Sequence, residues 1–138
     1  LEGYLFDLEE ARAAFAKAQQ AHEAKAKEAY AFVDGSFADL LGRRFGVGWG
    51  NRLERQMLDF VPVVVAAGGT VGEAVDHILA TKLLRKVRDR HDTRPEDLTA
   101  LSERIAEAWP KLDKTTGAVR SMAIVRDELR RLGAEEEA

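Results

Sequence analysis

Apolar residues recur at helical spacing along most of this chain. Leu8, Ala11, Phe15 and Ala18 make a thin stripe, which Ala29 and Phe32 resume after a polar gap. From Leu8 to about Val33 there is no Gly or Pro. Ala, Lys, Glu and Gln dominate there, and they lose little rotamer freedom in a helix. One long helix is therefore expected, opened by a cap at Asp7 and partly exposed in its middle, with an apolar leader (LEGYLF) before it. Asp34-Gly35 is expected to end it. Ser36 and Asp39 then read as an acidic capping box for a short helix carrying Phe37, Leu40 and Leu41.

The segment RRFGVGWG (Arg43–Gly50) alternates glycines with Phe45, Val47 and Trp49. It matches neither the phosphate-binding loop, which ends in Gly-Lys-Ser/Thr, nor a dinucleotide fingerprint, and it reads as a tight turn anchored by Trp49. Asn51 is a suitable N-cap for the next helix. Leu53, Met57, Phe60, Val61 and Val64 form its buried face, and Pro62 is expected to kink it or end it early. The run VPVVVAA is strand-like in composition, but no second segment offers to pair with it. Gly68-Gly69 suits a helix C-terminus, and Thr70 with Glu73 forms the capping box of the following helix.

That helix places Ala74, Val75, Ile78, Leu79, Leu83 and Val87 on a wide buried face. It begins acidic (Glu73, Asp76) and ends basic (Lys82, Arg85, Lys86, Arg88, Arg90), the order the helix dipole favours. Thr93 and Glu96 suggest a further capping box, with Pro95 in the first turn. Leu98, Leu101, Ile105 and Ala108 follow at helical spacing, and Trp109-Pro110 closes that helix. After the loop KLDKTTG, the last helix carries Val119, Met122, Val125, Leu129 and Leu132 on one face, with Gly133 as its stop. The expected fold is all-α, a single bundle of five or six helices with a long N-terminal helix. Its parts are the leader and Ala-rich helix (1–36), the bundle (37–133) and a frayed acidic tail (134–138).

Composition narrows the picture. At 138 residues, 46% hydrophobic and 33% charged, the chain fits one helical domain. No apolar run approaches the roughly 20 residues that span a bilayer, and no signal-type segment opens the chain. The absence of cysteine removes disulfides and thiolate metal sites, and the expected location is cytoplasmic. A net charge of −3 argues against a nucleic-acid partner for the isolated chain.

Candidate chemistry is sparse. His22, His77 and His91 lack metal spacing, and Asp76 and His77, being adjacent, point in different directions from a helix. Ser36, Ser102 and Ser121 have no nucleophile context. No self-sufficient active site is evident, no catalytic or metal-binding residue is assigned, and no cofactor is expected in this chain. Lys82, Arg85, Lys86 and Arg88, within two turns, are candidates for phosphate or nucleic-acid contact. Helix polarity alone accounts for them too, and no aromatic platform lies beside them.

The order of landmarks from residue 45 to residue 133 resembles the C-terminal helical lid of AAA+ NTPases of the methylcytosine-restriction (McrB) type. The matching segments are FGVGWGNR (45–52) leading to Phe60, AAGG (66–69), AVDHILATKLLRKVR (74–88), LTALSERI (98–105) and VRDELRRLG (125–133). Residues 1–36 have no firm counterpart. The resemblance implies a piece of a restriction or defence NTPase, without the nucleotide-binding core and its Walker motifs, so that this chain alone does not hydrolyse nucleotide. It implies ATP or GTP with magnesium for a larger parent protein. The implied partners are the nucleotide-binding core and neighbouring subunits. Arg52 matches the arginine that reaches the phosphates at the start of a lid helix, and Arg55, one turn on, is the substitute. The competing reading is a stand-alone helical interaction module that docks a helical partner through residues 8–33. A third is a nucleic-acid-binding helical domain using residues 82–94.

Overall fold

In the computed structural model, residues 2–90 and 92–137 are described, with side chains described over 8–90 and 92–133. His91 and the side chains of the expected leader, of Asp7 and of the acidic tail lie outside them; the backbone of 2–7 is already helical, so the helix starts before Asp7 and Asp7 does not cap it. The described chain is helical, without strands: α1 (Glu2–Phe45), α2 (Asn51–Ala66), α3 (Val71–Ile78), a π-helical turn (Leu79–Leu83), α4 (Leu84–Arg88), α5 (Pro95–Leu112) and α6 (Val119–Glu137). It is a helical bundle with a long N-terminal helix, and no described helix is long and apolar enough to cross a membrane.

The largest departure from expectation is in α1, which does not stop at Asp34-Gly35. Ala26, Ala29, Val33, Phe37, Leu41 and Phe45 are each fully buried along one face of it. Burying a Phe or Leu stabilises by about 1.5–3 kcal/mol, whereas an internal glycine costs only about 1 kcal/mol relative to alanine. The apolar face therefore carries the helix through Gly35, which is exposed, and Ser36 and Asp39 cap nothing. The irregularity falls instead at His22, whose backbone (φ −123°, ψ 18°) is not helical. Residues 8–17, before it, are all exposed.

α2 runs antiparallel to α1. Gln19 donates to Asp59 (2.8 Å), whereas the Glu54 carboxylate, earlier in α2, acts on Tyr30, later in α1. Burial, together with the Asp34 and Glu54 charges, pushes the Tyr30 phenol above its ordinary value. Gly50, not Asn51, is the N-cap, with extended backbone and no side-chain capping bond. Pro62 is buried within the helix, which continues to Ala66. The end of α2 follows the sequence reading: Gly68 has φ 97°, its N–H donates to Val65, and Gly69 N–H donates to Val64. This is the paired bonding of a glycine-terminated helix.

Thr70 caps α3 by accepting from Glu73 N–H (3.1 Å). The helix then widens into the π turn, where Thr81 Oγ1 donates to the His77 carbonyl (2.7 Å). Leu79, Ala80, Leu83 and Leu84 are all buried across this turn, a wider apolar face than one α-helical stripe presents. Pro95 holds Arg94 extended, which makes Arg94 the N-cap of α5. Thr93 falls one residue outside, and its buried hydroxyl has no hydrogen-bond partner among the described residues. α5 continues past Trp109-Pro110 to Leu112, and α6 runs through Gly133. Val119, expected in the core, is 73% exposed; among the described side chains of α6, Ser121, Val125 and Glu128 are buried. Phe32 joins α1 to α5 by edge contacts with Phe37 and Trp109 (centroids 5.8 and 5.7 Å apart).

Two carboxylates from outside α6 organise its approach. Asp76, buried on α3, accepts from the N–H groups of Arg120 and Ser121, both at 2.9 Å. Those donors belong to the first turn of α6, which has no partner of its own for them. Asp113 accepts from Thr115 N–H and hydroxyl, Thr116 hydroxyl and Gly72 N–H, so it ties the α5–α6 loop to the start of α3. A side chain at Gly72 would fall on the Asp113 carboxyl. Burial pushes the Asp113 carboxyl up, but bonds from Thr115, Thr116 and Thr70 outweigh it and hold the group well below the usual carboxylate range. A depressed folded pKa gives stability that is present above the unfolded value near 4 and lost as pH falls toward the folded one. Asp113→Asn should therefore lower the melting temperature at neutral pH, and the gap from the parent chain should narrow progressively in acid below about pH 4. Thermal melts across that range check this; a gap independent of pH contradicts it.

Candidate phosphate-facing groove

The sequence-predicted cations separate into two groups in the fold. Arg52, in the first turn of α2, faces Lys82 of the π turn and Lys86 of α4 across a groove of about 450 Å³. Gly48, Trp49, Gly50, Leu53, Gln56 and Leu83 complete its lining. Arg55, Arg85 and Arg88 are exposed but lie outside it. The basic run 82–94 does not form one face. Arg90 turns inward, where it pairs with Asp92 (3.0 Å) and donates to the Phe45 carbonyl. Arg90 Nη1 lies where a side chain on Gly46 would fall, and Gly46 stands at φ 65°.

Local sequence explains the groove. The glycine turn carries the chain from α1 to α2 with Phe45 and Val47 buried beneath it. These are its main anchors, with Trp49 only half-buried. Gly50, lacking a side chain, leaves the first turn of α2 without a side-chain cap. The positive end of the α2 dipole therefore lies beside Arg52. Lys82 and Lys86 stand four residues apart on the opposite wall, and the buried Leu83 and Leu84 fix that wall in the core. No ion pair among the described residues uses Arg52, Lys82 or Lys86. The groove thus concentrates positive charge without internal neutralisation, the arrangement that suits phosphate oxygens.

Arg52 and the Lys82/Lys86 pair are legible in the sequence as separate features. Their juxtaposition is not, and Gln56 and Trp49 carry no sequence signal for it beyond their nearness to Arg52.

A larger cleft, about 580 Å³, lies between α2, α3 and the start of α6. His77 stacks on Phe60 there (centroids 5.1 Å apart), and its Nδ1 meets Arg120 Nη1 at 2.8 Å. Asp76 is committed to the α6 amides, and Thr116 to Asp113 and Thr70. Most of its polar groups, Glu73 excepted, are thus engaged with one another, which makes the cleft a structural junction, whereas the smaller groove gathers three cations and no carboxylate. Among the described residues no cluster of His, Cys, Asp and Glu could hold a metal ion. Comparison of the chain with known protein families, curated proteins and solved structures finds no match.

Proposed function

We propose that this chain serves as the helical lid of an AAA+ NTPase of the methylcytosine-restriction type, with the α2–π-turn groove turned toward the phosphates of a nucleotide held by a core domain. The observation that supports this most is the convergence of Arg52, Lys82 and Lys86, none of them ion-paired among the described residues, at the N-terminus of α2, which has no side-chain cap. A guanidinium and ammonium groups placed there can neutralise charge that develops on transferred phosphoryl oxygens. The groove lining contains no carboxylate, so the chain's residues fit the phosphates and not their magnesium ion, which falls to the core. The chain's own role is binding and charge neutralisation, and the attacking water must be oriented elsewhere.

Arg52→Ala separates this role from a structural one. Arg52 is exposed, so the substitution should change the stability of the chain by less than about 0.5 kcal/mol. In the complete parent NTPase it should lower the hydrolysis rate about tenfold or more, the loss of at least roughly 1.4 kcal/mol of phosphate-directed stabilisation. Arg55→Ala, outside the groove, is the control and should be nearly silent. Equal small effects of the two would leave Arg52 a surface residue. A simpler observation bears on the whole reading: the reading frame upstream of Leu1 should encode a Gly-x-x-x-x-Gly-Lys-Ser/Thr segment, and a gene without one removes the lid assignment.

A further inference from the structure

Along the sequence no aromatic residue lies beside Lys82 and Lys86. The fold supplies one, because Trp49 lines the same groove. Its side chain is half-buried, and its indole N–H is directed at the Tyr30 hydroxyl on α1. An indole has no other polar atom, so this contact holds the ring by its edge. No other ring among the described residues stacks on it. Leu53 and Leu83, both buried, add apolar surface to the lining. Gln56, one turn after Arg52 on α2, brings a side-chain amide, and no hydrogen bond among the described residues engages it. Glu54 acts on Tyr30 and does not line the groove.

Phosphate recognition needs the cations alone. It gives no reason for a held aromatic ring, apolar surface and an unengaged amide beside them. A nucleobase uses all three, since it has a π-face to stack and donors and acceptors on its edge. We propose that the groove binds a whole purine nucleoside triphosphate, with the base stacked on Trp49 and the phosphates among Arg52, Lys82 and Lys86. This rests on the phosphate-facing reading of the groove and adds the base to it. A volume of about 450 Å³ falls within the range of small-ligand sites, roughly 300–1,000 Å³. A purine offers the indole a larger π surface than a pyrimidine does. The Gln56 amide carries both a donor and an acceptor, so it can meet the edge of either purine.

Proton–nitrogen NMR titration of the intact chain tests this, because its two tryptophans give separate indole signals. Trp109 is the internal control, being buried with its N–H held by the Thr116 carbonyl. Magnesium-free ATP and GTP should shift the Trp49 signal and leave that of Trp109 in place. Both should bind about tenfold more tightly than inorganic tripolyphosphate, the contribution of one stacked base, with UTP between them. Trp49→Leu should remove most of that preference, Trp49→Phe should keep most of it, and Arg52→Ala should weaken ATP and tripolyphosphate alike. Tripolyphosphate binding as tightly as ATP, with both weakened by Arg52→Ala, overturns the base contact and leaves the phosphate reading standing. Indifference of both ligands to Arg52→Ala removes the phosphate reading and the base contact with it. A chain that binds none of these ligands, or that binds a single-stranded deoxyadenosine oligonucleotide more tightly than ATP, also overturns the proposal.

Discussion

Leu101→Ala is expected to destabilise the chain by about 2–5 kcal/mol, the loss of a buried leucine's transfer energy plus the cavity left behind. Leu101 is fully buried in the middle of α5, with buried Leu98 one turn before it and Ile105 one turn after, so neighbouring side chains are held from both directions and cannot easily collapse into the space. Val119→Ala is the informative contrast. Both residues sit on apolar stripes in the sequence, yet Val119 is 73% exposed, and its truncation should cost less than about 0.5 kcal/mol. Urea denaturation of the two variants measures the difference. Similar costs would mean that the start of α6 is packed against the bundle in a way the structure does not show.

Asp76→Ala should cost about 2–4 kcal/mol, because it leaves the Arg120 and Ser121 amides without their acceptor at a position where Ser121 is fully buried. The consequence is local as well as global. The first turn of α6 should fray, so hydrogen exchange at these two amides should accelerate more than exchange in α5. Asp76→Asn retains one acceptor oxygen but turns an amino group toward the other N–H, and should lie between the parent chain and Asp76→Ala. If Asp76→Ala leaves exchange at 120 and 121 unchanged, α6 is anchored by its apolar face alone and Asp76 is dispensable.

These two residues show where sequence reading succeeds and where it stops. Leu101 is legible because it belongs to a helical stripe, and the same stripes correctly give an all-helical bundle with Leu79 and Leu101 inside. Asp76 is not, since its partners lie more than 40 residues away; along the chain it looks like an acidic residue near a helix start. Local signals failed where tertiary contacts outweighed them. Gly35 did not end α1, since Val33, Phe37 and Leu41 gain more from burial than the glycine costs. Thr93 did not cap α5, since Pro95 moved the helix start by one residue.

The candidate groove divides the same way. Lys82 and Lys86 were marked by their place in the basic end of a helix, and Arg52 by the resemblance to an AAA+ lid, which puts an arginine at a helix start. The sequence by itself determined which segments are helical, their broad polarity and most of the core, because these follow from period, capping chemistry and dipole, all carried by neighbours within a few residues. Only the tertiary structure decided that α1 is continuous, that Asp76 and Asp113 tie α6 and its loop to α3, and that Arg52 faces Lys82 and Lys86 while Arg55 does not. Those outcomes depend on how helices pack, and packing energy is shared among residues that the sequence keeps far apart.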